Sequence, residues 1–169
     1  MNSFLYSAQR VAIFIDTQNI YHSAKNFYGK KVDFSNLVKI LTHERNLIRA
    51  IAYVIKSDFS SKEISFFETL TKKGIELRIK EMIHLPGGEK KADWDVGIAV
   101  DAIRMSKFVD AIVLVTGDGD FLPLVDYLKN QGNIVEVAGF SRNTSSRLKE
   151  AADYFYDLDE IKNFILIKK

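Results

Sequence analysis

The segment that most constrains the fold is an apolar run that ends in an acidic, glycine-containing turn. Ala111-Ile112-Val113-Leu114-Val115 is apolar throughout, and Thr116-Gly117-Asp118-Gly119-Asp120-Phe121 follows it directly. Such a run is typical of a strand buried on both faces, and the next segment, opening with Leu122-Pro123-Leu124-Val125, predicts a helix. The glycines allow a sharp turn between the two. The pattern therefore places two carboxylates at the carboxyl end of a buried strand; a helix N-cap at Asp120 would explain only one of them.

The remainder of the chain alternates between similar apolar runs and helical patterns. Further strands are predicted at 11–15, 47–55, 75–79 and 134–138, with a short edge strand at 154–156. Helices are predicted at 20–28, from 33, at 62–73, 93–106, 122–131, 144–152 and up to 165, and 85–91 is predicted to be a polar loop. This alternation predicts the α/β class, with a mostly parallel sheet and helices on both faces. At 169 residues the chain is expected to be a single domain.

Several acidic residues are predicted to share one edge of that sheet. In open parallel sheets, ligands bind outside the carboxyl ends of the strands. Asp16 ends the run at 11–15, and Asn19 follows it three positions later, which suggests an arranged polar site. The candidates for one carboxylate cluster are Asp16, Asp93, Asp95, Asp118 and Asp120.

A cluster of carboxylates favours a metal-dependent reaction. Neighbouring carboxylates raise one another's pKa and repel, which costs stability unless a cation joins them. Hard divalent ions such as Mg²⁺ and Mn²⁺ take oxygen ligands of this kind and can activate water against a phosphodiester. Asp95 could instead serve only as the favourable charge of a helix N-terminus, and Asp93 is expected to be an N-cap rather than a ligand. Asp101 lies six residues past Asp95, off the same helical face.

Basic residues near the same edge fit an anionic partner. Phosphate contacts are expected from Lys56, Lys90, Lys91, Arg142 and Arg147. The aromatic residues nearby could stack on unpaired bases, but packing is the expected use of Trp94, Tyr21, Phe140 and Tyr154. The formal net charge of +2 permits a nucleic-acid partner without requiring one.

Other classes of protein are excluded by missing residues. The chain contains no Cys, which excludes disulfides, cysteine-based zinc sites and thiol catalysis. It has no G-x-G-x-x-G after the first strand and no G-x-x-x-x-G-K-[ST], so dinucleotide binding is poorly supported and a P-loop is absent. Neither a secretory signal nor an apolar run of about 18 residues is present. We therefore expect a cytoplasmic protein with no membrane partner.

Three motifs together resemble the NYN domain family, and more closely the LabA-like branch of the PIN-like nuclease superfamily. They are Phe14-Ile15-Asp16-Thr17-Gln18-Asn19, then Lys91-Ala92-Asp93-Trp94-Asp95-Val96 with Asp101, then Thr116-Gly117-Asp118-Gly119-Asp120-Phe121. The resemblance covers about residues 10–159. It implies a three-layer α/β/α, Rossmann-like fold and a Mg²⁺ or Mn²⁺ ribonuclease site. Thr17 stands where the family often has Gly, and the sequence Asp93-Trp94-Asp95 leaves open which aspartate is the ligand.

The resemblance implies a role for each matched residue. Asp16, Asp95, Asp118 and Asp120 would bind the metal, and Asn19 would complete the catalytic set. The expected function is hydrolysis of RNA, in single-stranded form, by an endonuclease. A non-catalytic RNA-binding or regulatory protein and a DNA-directed nuclease are the alternatives, and a homodimer is left open.

Overall fold

A six-stranded, all-parallel sheet forms the centre of the computed structural model, which describes residues 5–56, 61–81, 83–84, 90–91 and 93–167. The strands are β1 (Arg10–Asp16), β2 (Asn46–Lys56), β3 (Glu76–Glu81), β4 (Ile83–His84), β5 (Lys90–Lys91), β6 (Ala111–Val115), β7 (Ile134–Gly139) and β8 (Tyr154–Asp157). The helices are α1 (Thr17–Tyr28), α2 (Phe34–Thr42), α3 (Ser61–Lys72), α4 (Asp95–Met105), α5 (Leu122–Asn130), α6 (Ser146–Ala151) and α7 (Lys162–Ile165).

The order of the strands positions one crevice. The sheet runs β3-β2-β1-β6-β7-β8, so the chain first builds outward from β1 in one direction and then returns to β6 and builds in the other. β1 and β6 are neighbours, with Ile15 opposite Val115. The connections that leave these two strands diverge, and the crevice between them is where parallel α/β sheets bind ligands. Asp16 and Thr116 stand at the mouth of that crevice.

Two hydrophobic cores lie on the two faces of the sheet, as the alternation along β1 requires. Val11, Ile13 and Ile15 pack with α1, α2, α3 and α7 on one face. Ala12 and Phe14 pack with α4, α5 and α6 on the other. Because both faces are covered, the buried runs 11–15 of β1 and 111–115 of β6 are apolar at every position, which is the pattern that identified them in the sequence.

The predicted α/β class, the mostly parallel sheet and the flanking helices are confirmed. The segment predicted as a polar loop differs in part, since Ile83–His84 pairs antiparallel with Lys90–Lys91; residues 85–89 lie outside the described part of the chain. The helix predicted from residue 93 begins at Asp95, and its N-cap is Trp94, which makes no capping hydrogen bond through its side chain. Asp93 is therefore not the N-cap. Within the described residues, no helix is both long and apolar enough to span a bilayer.

Candidate metal centre

A cleft of about 300 Å³ opens at the carboxyl ends of β1 and β6. It is lined by Asp16, Gln18, Asn19, His22, Tyr53, Ile55, Asp93, Trp94, Asp95, Asp118 and Asn143. These residues come from the ends of strands, from the first turns of α1 and α4, and from the segment after β7. The cleft therefore brings together side chains that are distant in sequence, as expected where the strand order reverses between β1 and β6.

Asp16 is fixed by bonds to both neighbouring segments. It is the N-cap of α1, where Oδ1 accepts a hydrogen bond from the backbone N–H of Asn19 at 3.2 Å. Its Oδ2 accepts a hydrogen bond from the Thr116 hydroxyl at 3.2 Å. Burial raises the pKa of Asp16 and the charge of Asp118 adds to the rise, while the bonds from Asn19 and Thr116 act in the opposite direction.

The turn after β6 is held from both sides. The side-chain oxygen of Asn19 accepts the Gly117 N–H at 2.9 Å, and the Gly117 carbonyl accepts the Ser145 N–H at 3.0 Å. A Cβ at Gly117 would collide with the backbone carbonyl of Asn143, so only glycine fits there. Asn19 thus positions the turn that carries Asp118, a role that links the first motif to the third.

The two acids of this turn differ in what they do. Asp118 is the N-cap of a short 3₁₀ helix (Gly119–Phe121), and its Oδ1 accepts the Asp120 N–H at 2.9 Å. The N-cap considered for Asp120 in the sequence therefore belongs to Asp118. Asp120 is exposed, and its side chain offers a carboxylate oxygen close to those of Asp95 and Asp118.

Asp95 has the most strongly perturbed carboxyl group among these acids. It is the first residue of α4, a position that ordinarily favours a negative charge. Its pKa is nevertheless raised to about 6, first by burial and then by the charges of Asp118, Asp16, Asp93 and Asp120, in that order. Burial and like charges therefore outweigh the helix terminus, and ionisation of Asp95 is less favourable than that of a fully solvated aspartate.

Three of the predicted ligands form a compact group. Asp95, Asp118 and Asp120 each offer one carboxylate oxygen, and these oxygens lie within 4.8 Å of one another. Asp95 rather than Asp93 belongs to this group, and Asp16 borders it through the cleft without being part of it. An all-oxygen, all-carboxylate donor set fits a hard divalent cation such as Mg²⁺ or Mn²⁺.

Of the five predicted phosphate-binding residues, the three whose side chains the structure describes do not line the cleft: Lys56, Arg142 and Arg147. Arg142 contacts Asp159 at 3.6 Å and stacks over the Phe27 ring, with its guanidinium carbon 4.2 Å from the ring centroid. Arg147 is exposed on α6, and Lys56 ends β2. The side chains of Lys90 and Lys91 lie outside the described residues.

Other residues near the site have partners that the sequence did not reveal. Tyr53 lines the cleft, and its hydroxyl donates to Oδ2 of Asp101 at 2.8 Å. Burial raises the pKa of Tyr53, and the bond to Asp101 raises it further, so Tyr53 remains a neutral donor. Asp101 is also 3.5 Å from Arg78, which explains its position away from the acidic group. Of the aromatic residues weighed for stacking, Phe140 is fully buried.

Thr116, His22 and Asn143 also belong to the site, although the sequence did not single them out. Thr116 is the residue that directly follows β6, so the rule of carboxyl-edge residues could have found it. Asn143 donates to the Ser23 hydroxyl at 2.7 Å, which joins the segment after β7 to α1. His22 lines the cleft one helical turn beyond Asn19. No local sequence pattern marks the last two.

The fold and the acidic group together define an α/β/α protein with a candidate metal centre at the topological switch point between β1 and β6. This arrangement fits the PIN-like nuclease superfamily. The sequence profile of the NYN domain matches residues 10–159, and the chain belongs to the NYN domain family. NYN domains are typically nucleases.

Individual relatives cover most of the chain. The Low amplitude and bright protein LabA of Synechococcus elongatus is 26% identical in an alignment that covers 95% of this chain and 89% of LabA. An uncharacterised protein of Methanocaldococcus jannaschii is 28% identical over 89% of this chain and 56% of its own length. The crystal structure of a Vibrio parahaemolyticus protein of unknown function superposes with a TM-score of 0.86 at 34% identity, covering 99% of this chain and all of that one. The fold and the resemblance inferred from the three motifs are thereby confirmed.

Proposed function

We propose that this protein is a Mg²⁺- or Mn²⁺-dependent ribonuclease that hydrolyses RNA phosphodiester bonds in the cleft at the ends of β1 and β6. The observation that carries the proposal is the group of three carboxylates, Asp95, Asp118 and Asp120, whose oxygens lie within 4.8 Å of one another. Two further observations support the same function. The group lies at the topological switch point between β1 and β6, and the chain belongs to the NYN domain family.

The residues of the cleft divide the work between them. A bound divalent ion would supply an activated water and stabilise negative charge on the phosphate. Asp95, Asp118 and Asp120 hold the ion, and Asp16 completes the acidic site from the end of β1. Asn19 acts by positioning, because its backbone N–H donates to Asp16 and its side-chain oxygen accepts the Gly117 N–H. Replacement of the Asn19 side chain would therefore loosen the turn that carries Asp118, whereas the backbone bond to Asp16 would remain.

RNA is the proposed substrate, in single-stranded form. Its phosphates would be contacted by basic residues, which fix the register and orientation of the strand: Lys56, Lys90, Lys91, Arg142 and Arg147. Since Arg142 already pairs with Asp159, its contribution is expected to be smaller than that of the exposed Arg147. Arg147→Ala should weaken RNA binding and lower the slope of its salt dependence by about one.

The test is a cleavage assay with purified protein and a circular single-stranded RNA, which has no ends for an exonuclease. Cleavage is expected with Mn²⁺ or Mg²⁺ and is expected to disappear with EDTA. A circular DNA of the same sequence is the matched substrate control and separates the RNA-directed from the DNA-directed activity. Asp95→Asn should abolish cleavage, whereas Asp93→Asn, at the exposed residue two positions earlier, should retain it.

Two results would contradict the proposal. Cleavage by the Asp95→Asn variant at the parental rate would show that the acidic group is not the active site. Saturable RNA binding without turnover, with either divalent ion, would identify the protein as a non-catalytic RNA-binding module that uses the same cleft.

A further inference from the structure

Trp94 occupies a distinctive place in the cleft. It is the only tryptophan in the chain, it directly precedes Asp95, and it lines the same cleft as Asp16, Asp95 and Asp118. Its side chain is half-buried, so part of the indole faces the opening. The packing role expected from the sequence accounts for the buried part of the ring and leaves the exposed part unexplained.

The indole is held in one orientation by two neighbours from β2. Its Nε1–H donates to the carbonyl oxygen of Val54 at 3.0 Å. The Tyr53 ring meets it nearly edge-on, with centroids 5.3 Å apart and an interplanar angle of 62°. Because the indole N–H is already satisfied, a ligand that contacts this residue meets the apolar ring rather than a donor. A ring that is already fixed loses little conformational freedom when it binds.

Gly97 makes room for the ring. It lies inside α4, where glycine is less favourable than alanine. A Cβ at Gly97 would come within 2.6 Å of Cε3 of Trp94, too close for any real contact. The helix therefore accepts an unfavourable residue at a position where a side chain would displace the indole from the cleft wall.

A cation accompanies the ring. Lys80, on β3, places its ammonium 4.6 Å from the centroid of the Trp94 ring and donates to the backbone carbonyl of Asp93 at 2.6 Å. The ammonium makes a cation–π contact with the indole. Because it has three N–H donors and gives one to Asp93, it can also contact the phosphate of a nucleotide whose base meets the ring.

We propose that Trp94 binds the base of an unpaired nucleotide next to the metal centre and that Lys80 binds the phosphate attached to it. The inference rests on the proposed function, since it assigns part of the same cleft to the substrate. An unpaired nucleotide is required because the bases of a duplex are covered by their neighbours and cannot lie on a protein ring. Trp94 then determines specificity for single strands without reading a particular base, because every base has an aromatic face.

The first test uses the fluorescence of Trp94 itself, which is free of other tryptophan signals. The protein is the Asp118→Asn variant, so that the RNA stays intact, and the probe is a single-stranded RNA of about eight nucleotides with a fluorescent end label. We expect saturable quenching of Trp94 that follows the anisotropy of the label at the same RNA concentrations. The blunt-ended duplex of the same sequence should quench it far less. Saturable RNA binding with unchanged Trp94 emission would overturn the inference.

The second test separates binding from chemistry in the parental protein. Trp94→Ala should raise KM for single-stranded RNA by roughly five- to hundredfold, the usual effect of removing one stacking ring, with kcat changed much less. Trp94→Phe should recover most of the loss, and Gly97→Ala should reproduce part of it by displacing the ring. Lys80→Met should raise KM by a smaller factor and lower the salt slope by about one. Phe108→Ala, which removes an exposed aromatic ring before β6, is the matched control and should leave KM unchanged.

The outcomes distinguish the inference from the proposed function. Metal-dependent cleavage with a parental KM in Trp94→Ala would overturn the inference and leave the ribonuclease proposal standing. Quenching of Trp94 by single-stranded RNA without any cleavage would overturn the ribonuclease proposal and leave the inference about Trp94 standing. If Trp94→Ala fails to fold, parental KM values in both Gly97→Ala and Lys80→Met would overturn the inference in its place.

Discussion

Asp110, at the amino edge of the sheet, and Asp95, at the carboxyl edge, are placed in opposite electrostatic environments. Asp110 accepts hydrogen bonds from the backbone N–H and from the guanidinium of Arg10, both at 2.8 Å, and this cation lowers the pKa of Asp110 to about 2. Burial, together with the charges of the neighbouring carboxylates, raises the pKa of Asp95 to about 6. One carboxylate is thus stabilised by the chain itself, whereas the other becomes favourable only when a cation is added. The difference separates an acid that forms an ion pair within the chain from one that the proposed metal centre would use.

The largest expected effect that tests this comparison is on activity. Asp118→Asn should lower Mn²⁺-dependent RNA cleavage by on the order of a hundredfold or more, because the neutral amide removes a charge from the ion's ligands. The fold should persist, since asparagine is as good an N-cap as aspartate. Asp16→Asn should behave in the same way. Asp110→Asn is the matched control and should cleave RNA at the parental rate. Equal losses of activity in Asp110→Asn and Asp118→Asn would contradict the functional difference between the two edges of the sheet.

The second effect is on metal-dependent stability. A cation that binds only the folded protein should add about 2.7 kcal/mol to its free energy of unfolding at a hundredfold excess over the dissociation constant. For a domain of this size that corresponds to a rise of roughly 5–10 °C in Tm. Thermal melts with and without Mn²⁺ should show this rise for the parent and for Asp110→Asn, and a smaller one for Asp118→Asn. An undiminished rise in Asp118→Asn would place the ion elsewhere.

The smallest effect is on the stability of the metal-free protein and depends on pH. The folded pKa of Asp95, about 6, lies above the ordinary value near 4, so the folded state binds its proton more tightly. Ionisation of Asp95 therefore lowers the free energy of unfolding as pH rises from 4 to 6, and the full decrease is present above pH 6. In EDTA, Asp95→Asn should raise Tm by at most a few degrees at pH 7 and leave it unchanged near pH 4.

Asp110 should show the reverse dependence. Because its folded pKa is lowered to about 2, its stabilising contribution is complete above the ordinary pKa and is lost as pH falls toward 2. Asp110→Asn should therefore lower Tm slightly at pH 7 and lose that effect in strong acid. A stabilising effect of both substitutions at pH 7 would contradict the assignment of opposite environments.

The sequence predicted those parts of the molecule that depend on burial along the chain. The strands are buried on both faces, so β1 and β6 appear as continuous apolar runs, and the residues at their carboxyl ends follow from the parallel arrangement. Asp16, Asp118 and the crevice between them could be placed for this reason alone.

The remaining features depend on side-chain partners that no local pattern specifies. The choice between Asp93 and Asp95 follows from where α4 begins, and helix ends are set within one or two residues by contacts such as that of Trp94 with Val54. Arg142 was predicted to face a phosphate, but its guanidinium contacts Asp159 and Phe27. Asn19 was predicted to complete the catalytic set, but its partner Gly117 became visible only when β1 and β6 were side by side.

The central position of β1 and β6 bears on how long an ion would stay in the cleft. Each of these strands is bonded on both sides, so their ends are released only when the sheet as a whole comes apart. Asp95 belongs instead to the first turn of α4, which can fray while the sheet stays closed. A cation held by Asp95, Asp118 and Asp120 would lose one of its ligands whenever this turn opens. We therefore expect substitutions that destabilise the first turn of α4 to speed exchange of the ion without altering the global unfolding rate.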